Sequence, residues 1–368
     1  MIKKSTDKDL HGLNTFGMRV KAALYVEYDS PSDLAALPWE NLPKPVLPVG
    51  GGSNLLFTGD FAGTVLRSCI TGITVLHERC GGDDVYVHVG AGVEMDEFCH
   101  WAAGKGLWGV ENLSAIPGSA GASAVQNVGA YGVEAGELID SVECYECATG
   151  AFVTIPGADC DFAYRDSFFK HNRGKYIVTG VVFHLYSDFR PRLDYGHLKE
   201  EVERNVELSR PTSDPYMPVL GGFAPVPAMP LTPMLVRDTV KAIRESKLPD
   251  PKKVGSAGSF FKNPVVSAEC FACVEAVARA RRGEGTSVPH YDLPDGSVKI
   301  PAAWMIDFCG FKGAQCGGAA VWKSQPLVIV NATGKATPQD VLDLEKKIID
   351  TVRDTFSVTL SPEVDHIN

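Results

Sequence analysis

The chain has 368 residues, of which 45% are hydrophobic and 22% charged, and its formal net charge is −10. This composition is typical of a folded globular protein with two or three domains. The acidic balance argues against a protein that coats nucleic acid, since phosphate neutralisation requires clustered lysine and arginine. No apolar run reaches the roughly 20 residues of a membrane-spanning helix, and the first residues lack the apolar centre of a signal peptide. A cytoplasmic protein without membrane or nucleic-acid partners is therefore expected.

Hydrophobic patterns and turn residues predict short strands mixed with helices along the chain. We expect strands within residues 14–28, 43–57, 84–93, 138–155, 175–186 and 317–334, and one at the C-terminus. We expect helices at 95–105, after residue 233, at 268–280 and at 338–355. In the last of these helices, Thr337 is the predicted N-cap and residues 341, 344, 348 and 352 form the apolar face.

The first unusual stretch follows an apolar strand and consists of Gly50, Gly51, Gly52, Ser53 and Asn54. Such a turn offers several backbone donors and two polar side chains, which suits a phosphate group. No lysine follows as in a P-loop, so nucleoside triphosphate hydrolysis is disfavoured. A plain connection between two strands is the alternative.

The second unusual stretch, residues 109–136, contains six glycines and only two charged residues, Glu111 and Glu134. Its exposed N–H groups could hold an anion without a cationic side chain. A buried loop that packs two lobes together explains the composition equally well. Gly90 and Gly92 resemble the start of a dinucleotide fingerprint, but Met95 occupies the third glycine position, so that reading is weak.

Three further features are less specific. Arg165 lies among aromatic residues and requires a partner if it is buried, although a surface pair with Asp166 is the alternative. The cysteine pairs Cys144/Cys147 and Cys270/Cys273 have no matching pair elsewhere, so we expect small core residues and no metal site. Residues 201–232 are acidic and then proline-rich, which predicts a surface insertion or crossing that is not regular helix.

Taken in order, six segments resemble one family, the UDP-N-acetylenolpyruvoylglucosamine reductases, in its longer type. These segments are PVGGGSNLLF, GVENLSAIPGSAGASAVQNVGAYGVE, FAYRDSFFK, LPDPKKVGSAGSFFKNP, GGAAVW and SPEV. The resemblance implies an α+β fold of three domains. Residues 1–67 with 357–368 and residues 68–200 would form an FAD-binding unit like that of vanillyl-alcohol oxidase. Residues 233–356 would bind substrate, after the crossing at 201–232.

The same resemblance implies the cofactors and the reaction. FAD would be bound non-covalently, because residues 48–57 contain no histidine or cysteine for covalent attachment. NADPH would pass hydride to FAD, and reduced FAD would pass it to the β-carbon of the enolpyruvyl group of UDP-N-acetyl-3-O-(1-carboxyvinyl)glucosamine. The product would be UDP-N-acetylmuramate, a peptidoglycan precursor. No obligate protein partner is implied.

Matching positions assign the implied roles. Arg165 would hold the substrate carboxylate, Ser259 would donate the proton to the α-carbon, and Glu363 would act with Arg165. The implied FAD contacts are Gly50, Gly51, Gly52, Ser53, Asn54, Ile116, Pro117, Gly118, Ser123 and Gly129. The implied substrate contacts are Tyr195, Lys252, Asn263 and Gln315.

The chain departs from the family pattern at three places. Ala122 stands where serine is common, and Asp365-His366-Ile367-Asn368 replaces a tail that begins with arginine. The proline-rich insertion at about 200–232 is also longer than the family pattern leads us to expect. Two rival functions stay open, namely a flavin- or nucleotide-binding module without activity and an oxidase of the same fold that acts on an alcohol. The joint presence of Arg165, Ser259 and Glu363 favours the reductase over both.

Overall fold

We use a computed structural model of the protein and describe residues 1–78, 82–208, 216–219, 222–225 and 231–368. The chain divides into two compact units. The first unit contains Met1–Lys4, Val26–Gly51 and Val65–Ser246, and the second contains Ser5–Tyr25, Gly52–Thr64 and Lys247–Asn368. The finer division into three domains stays a prediction.

The described residues form nine α-helices. They are α1 (Pro31–Ala35), α2 (Met95–Gly104), α3 (Ala120–Gln126), α4 (Phe168–His171), α5 (Leu198–Leu208), α6 (Pro233–Lys247), α7 (Ala268–Arg282), α8 (Ala302–Phe308) and α9 (Pro338–Phe356).

The strands are short, as the turn-rich sequence predicts. Within the described residues they are β1 (Lys3–Asp9), β2 (Lys21–Tyr28), β3 (Val46–Val49), β4 (Leu55–Phe57), β5 (Phe61–Ser68), β6 (Ile73–Glu78), β7 (Asp84–Gly90), β8 (Gly129–Ala130), β9 (Val133–Glu134), β10 (Ile139–Glu146), β11 (Ala151–Pro156), β12 (Tyr176–Tyr186), β13 (Tyr216–Val219), β14 (Gly222–Pro225), β15 (Gly255–Ser259), β16 (Val265–Val266), β17 (Tyr291–Asp292), β18 (Val298–Lys299), β19 (Gln315–Cys316), β20 (Ala319–Val321), β21 (Val328–Asn331) and β22 (Asp365–Ile367).

The first unit is built on an antiparallel sheet in the order β11-β10-β12-β7-β6. Its central strand β12 is rich in β-branched and aromatic residues and is buried along most of its length, as expected of a strand with neighbours on both sides. Helices α2 and α3 cover this sheet, and Phe98 of α2 packs on Phe183 of β12 with ring centroids 4.7 Å apart. This core fixes the position of the glycine-rich segment that contains α3.

Helices α5 and α6 also belong to the first unit and pack together around Trp108. Leu198, Val202, Val236 and Val240 are buried in this cluster. The expectation that residues 201–232 contain no regular helix is therefore wrong up to Leu208, because the acidic run in α5 lies on the exposed side of an amphipathic helix. Strands β13 and β14 pair in antiparallel fashion, and residues 209–215, 220–221 and 226–230 lie outside the described residues.

The second unit contains a sheet in the order β15-β21-β20-β19 and a smaller sheet in the order β16-β18-β17. Helix α9 begins with the predicted cap, since Thr337 accepts from the backbone of Asp340 and the Asp340 side chain accepts in return. The predicted apolar face is confirmed by the burial of Val341, Leu344, Ile348 and Val352. The C-terminal strand β22 pairs in parallel with β4.

The prediction that the paired cysteines are core residues has a mixed outcome. Cys144 is buried in the sheet of the first unit, as expected of a core residue. Cys273 is exposed on α7, so the interpretation as a core residue is wrong there. In the part of the chain that the structure describes, no helix is both long enough and apolar enough to cross a membrane.

Candidate flavin and substrate site

Gly50 and Gly51 bring the end of β3 into close contact with the second glycine-rich segment. A Cβ atom on Gly50 would lie 2.6 Å from Ser119 Oγ and 2.9 Å from Ala122 Cβ. A Cβ atom on Gly51 would lie 3.0 Å from the Gly118 Cα atom. The two segments predicted to hold FAD are thus adjacent in the first unit, and glycine is required because any side chain would occupy the contact. This cradle, formed by backbone, fits a pyrophosphate group.

The turn before α3 is fixed by helix α2. The backbone N–H of Ala115 donates to Asp96 Oδ1 at 2.8 Å, and the N–H of Met95 donates to the Gly118 carbonyl at 2.9 Å. The intervening residues Ile116 and Pro117 are half-buried and exposed, respectively. The turn is therefore held at both ends while its middle is accessible.

Two other predicted FAD contacts have identified roles within the first unit. The buried Ser123 donates its hydroxyl proton to the Ala120 carbonyl at 2.7 Å, inside α3. The Gly129 carbonyl accepts from Arg165 Nη2 at 2.6 Å. By contrast, Gly90 and Gly92 pack against backbone carbonyls, at 2.5 Å from Ile70 and 2.7 Å from Ser68 for an added Cβ. Close packing therefore explains these two glycines without a dinucleotide.

Arg165 lies in the first unit with its guanidinium against the segment that follows α3. Its Nη1 atom lies 3.7 Å from Glu134 Oε1, and its side chain is only 17% exposed. The φ angle of Arg165 is +55°, a left-handed conformation that costs a non-glycine residue of order 1 kcal/mol. Strain of this kind is concentrated at functional sites. In Arg165 it accompanies a largely buried cation that lies against the glycine-rich segment.

Tyr195 lies on an exposed loop of the first unit, at 6.1 Å from the Tyr131 ring in an edge-on contact. The fully buried Asn112 holds this loop, because its amide donates to the carbonyls of both Tyr131 and Arg192 at 2.8 Å. Sequence analysis missed Asn112. The sequence did contain a signal, because a polar asparagine within the largely apolar run GVENLSAIPG is expected to be buried and hydrogen-bonded.

Ser259 ends β15 in the second unit. The preceding Gly258 has φ +73°, and the register against β21 shifts between Ser256 and Ser259. Irregular strand ends of this kind reorient side chains next to active sites. The Ser259 side chain is half-buried, and no hydrogen bond to its hydroxyl is found among the described residues. Its proton is therefore available to a ligand.

The strand that carries Ser259 is anchored on both sides. Thr15 accepts from Ser256 N at 2.9 Å and donates its hydroxyl proton to the Ser256 carbonyl at 2.6 Å. Phe260, which follows Ser259, is completely buried and packs edge-on against Phe16. These contacts hold Ser259 without using its hydroxyl.

Glu363 lies on the backbone segment adjacent to Ser259. Its N–H donates to the Phe260 carbonyl at 2.8 Å, and Lys262 donates to the Ser361 carbonyl at 2.9 Å. The two segments therefore run side by side in opposite directions, and Glu363 lies opposite Phe260, the residue that follows Ser259. The two segments are far apart in the sequence, and the structure brings their backbones together.

Asn54 has a structural task in addition to its predicted phosphate contact. Its side-chain amide donates to the Glu363 backbone carbonyl at 3.0 Å, and its own backbone carbonyl accepts from Asp365 N at 2.9 Å. The tail is also tied to α9, since His366 Nε2 lies 3.2 Å from Glu345 Oε2. Hydrogen bonding to Glu345 raises the pKa of His366. The unusual tail residues thus form β22, and their contacts with Asn54 and Glu345 hold the segment that carries Glu363.

The other predicted residues of the second unit are less constrained. Gly52 is buried with φ +62°, and an added Cβ would collide with the Leu13 carbonyl. Ser53 is half-buried, while Lys252 and Gln315 are exposed. Asn263 Oδ1 accepts from Ala302 N at 2.9 Å at the start of α8, which leaves its amide protons for a ligand.

Comparison with known proteins first shows which class of protein the chain belongs to. A family model described as an FAD binding domain matches residues 23–155, which include Gly50–Asn54 and the turn before α3. A second model, described as the C-terminal domain of UDP-N-acetylenolpyruvoylglucosamine reductase, matches residues 250–367. The protein is therefore an oxidoreductase that binds FAD.

Full-length relatives give the family. The UDP-N-acetylenolpyruvoylglucosamine reductases of Chromobacterium violaceum and Neisseria meningitidis are 42% and 44% identical to this chain. The alignments cover 97% of this chain and 97% of the first relative, and 96% and 95% in the second case. The crystal structure of the Thermus caldophilus reductase has a TM-score of 0.62 at 22% identity, with 100% of this chain and 99% of that chain covered. The chain belongs to the UDP-N-acetylenolpyruvoylglucosamine reductase family, and the predicted α+β fold with an FAD-binding unit is confirmed.

Proposed function

We propose that the protein reduces the enolpyruvyl group of UDP-N-acetyl-3-O-(1-carboxyvinyl)glucosamine with NADPH, and forms UDP-N-acetylmuramate. FAD, when bound, accepts hydride from NADPH and delivers it to the β-carbon of the double bond. The observation that carries the proposal is the Ser259 hydroxyl, which lies at an irregular strand end next to the Glu363 segment and has no acceptor among the described residues.

The cofactor cradle supports the same proposal. Gly50, Gly51 and Gly118 allow the backbones of two turns to meet closely, and no lysine or arginine belongs to either turn. Backbone N–H groups can hold the pyrophosphate of FAD without a cationic side chain. Gly52, Ser53, Ile116, Pro117, Ser123 and Gly129 would complete the FAD contacts.

The catalytic roles follow from the charge that develops during reduction. When hydride reaches the β-carbon, negative charge grows on the α-carbon and its carboxylate. Arg165 would bind the carboxylate, since a guanidinium pairs with it through two parallel hydrogen bonds. Ser259 would give its proton to the α-carbon, and Glu363 would assist Arg165 in stabilising the charge.

The substrate contacts are proposed on the same basis. Lys252 and Tyr195 would bind the pyrophosphate of the UDP moiety, and Asn263 and Gln315 would add hydrogen bonds. Asn263 retains free amide protons, as such a role requires. We further propose that the protein acts in the cytoplasm in peptidoglycan precursor synthesis, with no obligate protein partner.

Purified protein tests the proposal directly. We expect a yellow protein that releases FAD on acid treatment and consumes one NADPH per enolpyruvyl nucleotide, with a product two mass units heavier than the substrate. An inactive binding module would retain FAD without turnover, and an oxidase would reduce oxygen in the presence of an alcohol. Absence of acid-releasable flavin would contradict the reductase assignment.

A further inference from the structure

The turn from Ala115 to Gly118 begins with a strained residue. Ala115 has φ +57°, a left-handed conformation that a Cβ atom disfavours. Left to itself, an alanine would return to an ordinary conformation and change the direction of the turn. Surrounding contacts must therefore hold it, and both backbone groups of Ala115 are indeed bonded to side chains.

The first contact uses a shared carboxylate oxygen. Asp96 Oδ1 accepts from Ala115 N at 2.8 Å and from Arg237 Nη2 at 2.9 Å. The Arg237 side chain is only 7% exposed and also lies 3.1 Å from Asp238. A buried guanidinium requires such partners, so Arg237 fixes the carboxylate that in turn holds Ala115.

The second contact comes from the same helix. Arg244 Nε donates to the Ala115 carbonyl at 3.3 Å, and burial lowers the pKa of Arg244. Arg237 and Arg244 are seven residues apart, which places them two turns apart on one face of α6. Helix α6 therefore reaches the N–H of Ala115 through Asp96 and reaches its carbonyl directly.

We propose that Asp96, Arg237 and Arg244 are positioning residues for FAD, through which α6 sets the affinity for the cofactor. This inference rests on the proposed placement of FAD at Ile116, Pro117 and Gly118. The three side chains hold the turn in the strained conformation before the cofactor arrives, so binding does not have to order it.

Titration of FAD into the apoprotein, followed by flavin fluorescence, tests the proposal. We expect Asp96→Ala and Arg237→Met each to raise the Kd for FAD about tenfold, as for loss of one or two hydrogen bonds. The Kd of the double variant should be about equal to the larger Kd of the two single variants, because both residues act through the same contact. Asp96→Asn, which keeps an acceptor for Ala115, should lie between Asp96→Ala and the unchanged protein.

The matched control is Lys241→Met on the same helix. Lys241 lies between the two arginines on the helix but is 44% exposed and pairs with Glu245 at 4.0 Å, and no hydrogen bond from it to the turn is found among the described residues, so the Kd of this variant should not change. Thermal unfolding of each apoprotein separates a local effect from misfolding. If Asp96→Ala does not fold, Asp96→Asn and Arg244→Lys still report on the same contacts.

Two outcomes would be adverse in different ways. Unchanged FAD affinity in folded Asp96 and Arg237 variants would overturn the positioning role and leave the reductase assignment intact. Failure of the unaltered protein to bind FAD would contradict the proposed function itself.

Discussion

The candidate residues of the two units are positioned by opposite means. In the first unit the cradle is shaped by absent side chains, since Gly50, Gly51 and Gly118 allow two backbone turns to meet. In the second unit the two proposed catalytic side chains, Ser259 and Glu363, are presented by adjacent backbone segments. We therefore expect FAD binding to weaken when a side chain is added at the cradle. We expect activity to fall when side-chain atoms are removed from Ser259 or Glu363.

The largest effect is expected from Ser259→Ala. Positioned acid catalysis contributes about 10²–10⁴-fold, and the backbone anchors of Ser259 do not involve its hydroxyl. Stopped-flow absorbance should show normal bleaching of the flavin by NADPH and greatly slowed recovery of colour after the enolpyruvyl nucleotide is added. Ser259→Cys should retain more activity, because a thiol can still donate a proton.

Other results would reassign Ser259. Equal slowing of both phases would mean that Ser259 only shapes the pocket. Near-normal recovery of colour in Ser259→Ala would move the proton donor to another group, with Glu363 as the next candidate.

A smaller loss is expected from Gly50→Ala, which tests the added-atom half of the comparison. The new methyl group would lie 2.6 Å from Ser119 Oγ, and such overpacking costs about 1–3 kcal/mol. We expect FAD affinity to fall roughly tenfold or more, measured by fluorescence titration. Gly59→Ala is the control, since no atom lies within 4 Å of its added Cβ. Equal affinity in the two variants would show that the close contact does not shape the cradle.

Lys252→Ala should weaken substrate binding more than it slows the chemistry. A charge-assisted hydrogen bond contributes roughly 1.5–3 kcal/mol, so kcat/KM should fall about ten- to a hundredfold, mainly through KM. Tyr195→Phe should act in the same direction. Lys253→Ala is the control, because Lys253 already pairs with Asp250 at 3.7 Å. A normal KM with a collapsed kcat would contradict the assignment of Lys252.

The last prediction concerns the pH dependence of stability in the first unit, not its function. Burial raises the pKa of Glu111 to about 7, from the ordinary value of 4.5. Between these pH values the folded protein keeps a proton that the unfolded chain loses, so stability falls as pH rises, by roughly 3 kcal/mol in total. Glu111→Gln should remove this part of the pH dependence of thermal unfolding. An identical pH profile in both proteins would mean that Glu111 is charged in the folded state.

The sequence alone predicted features that depend on residues close together in the chain, such as helix caps, apolar helix faces and glycine turns. The cap and apolar face of α9 follow from Thr337, Asp340 and the helical period, and all are confirmed. The glycine turn at Gly50 and Gly51 was recognised because few other structures need consecutive glycines. The helix α5 was missed because its acidic residues and the following prolines outweighed the period of Leu198 and Val202.

Partners distant in sequence could not be predicted in this way. The bond from Asn54 to the Glu363 carbonyl joins residues 309 positions apart. The contact of Asp96 with Ala115 depends on how α2 packs beside the turn. The left-handed conformation of Ala115 could not be predicted either, because alanine as a residue type does not favour it. Such contacts arise from tertiary packing, so only the structure reveals which polar residues hold the predicted site.

One measurement tests the central claim most directly. FAD-loaded protein is mixed with NADPH without oxygen, and the enolpyruvyl nucleotide is added after the flavin colour has disappeared. The account predicts that colour returns in proportion to the nucleotide added and that UDP-N-acetylmuramate is formed in equal amount. Colour that stays bleached until oxygen is admitted, with the nucleotide recovered unchanged, would contradict it.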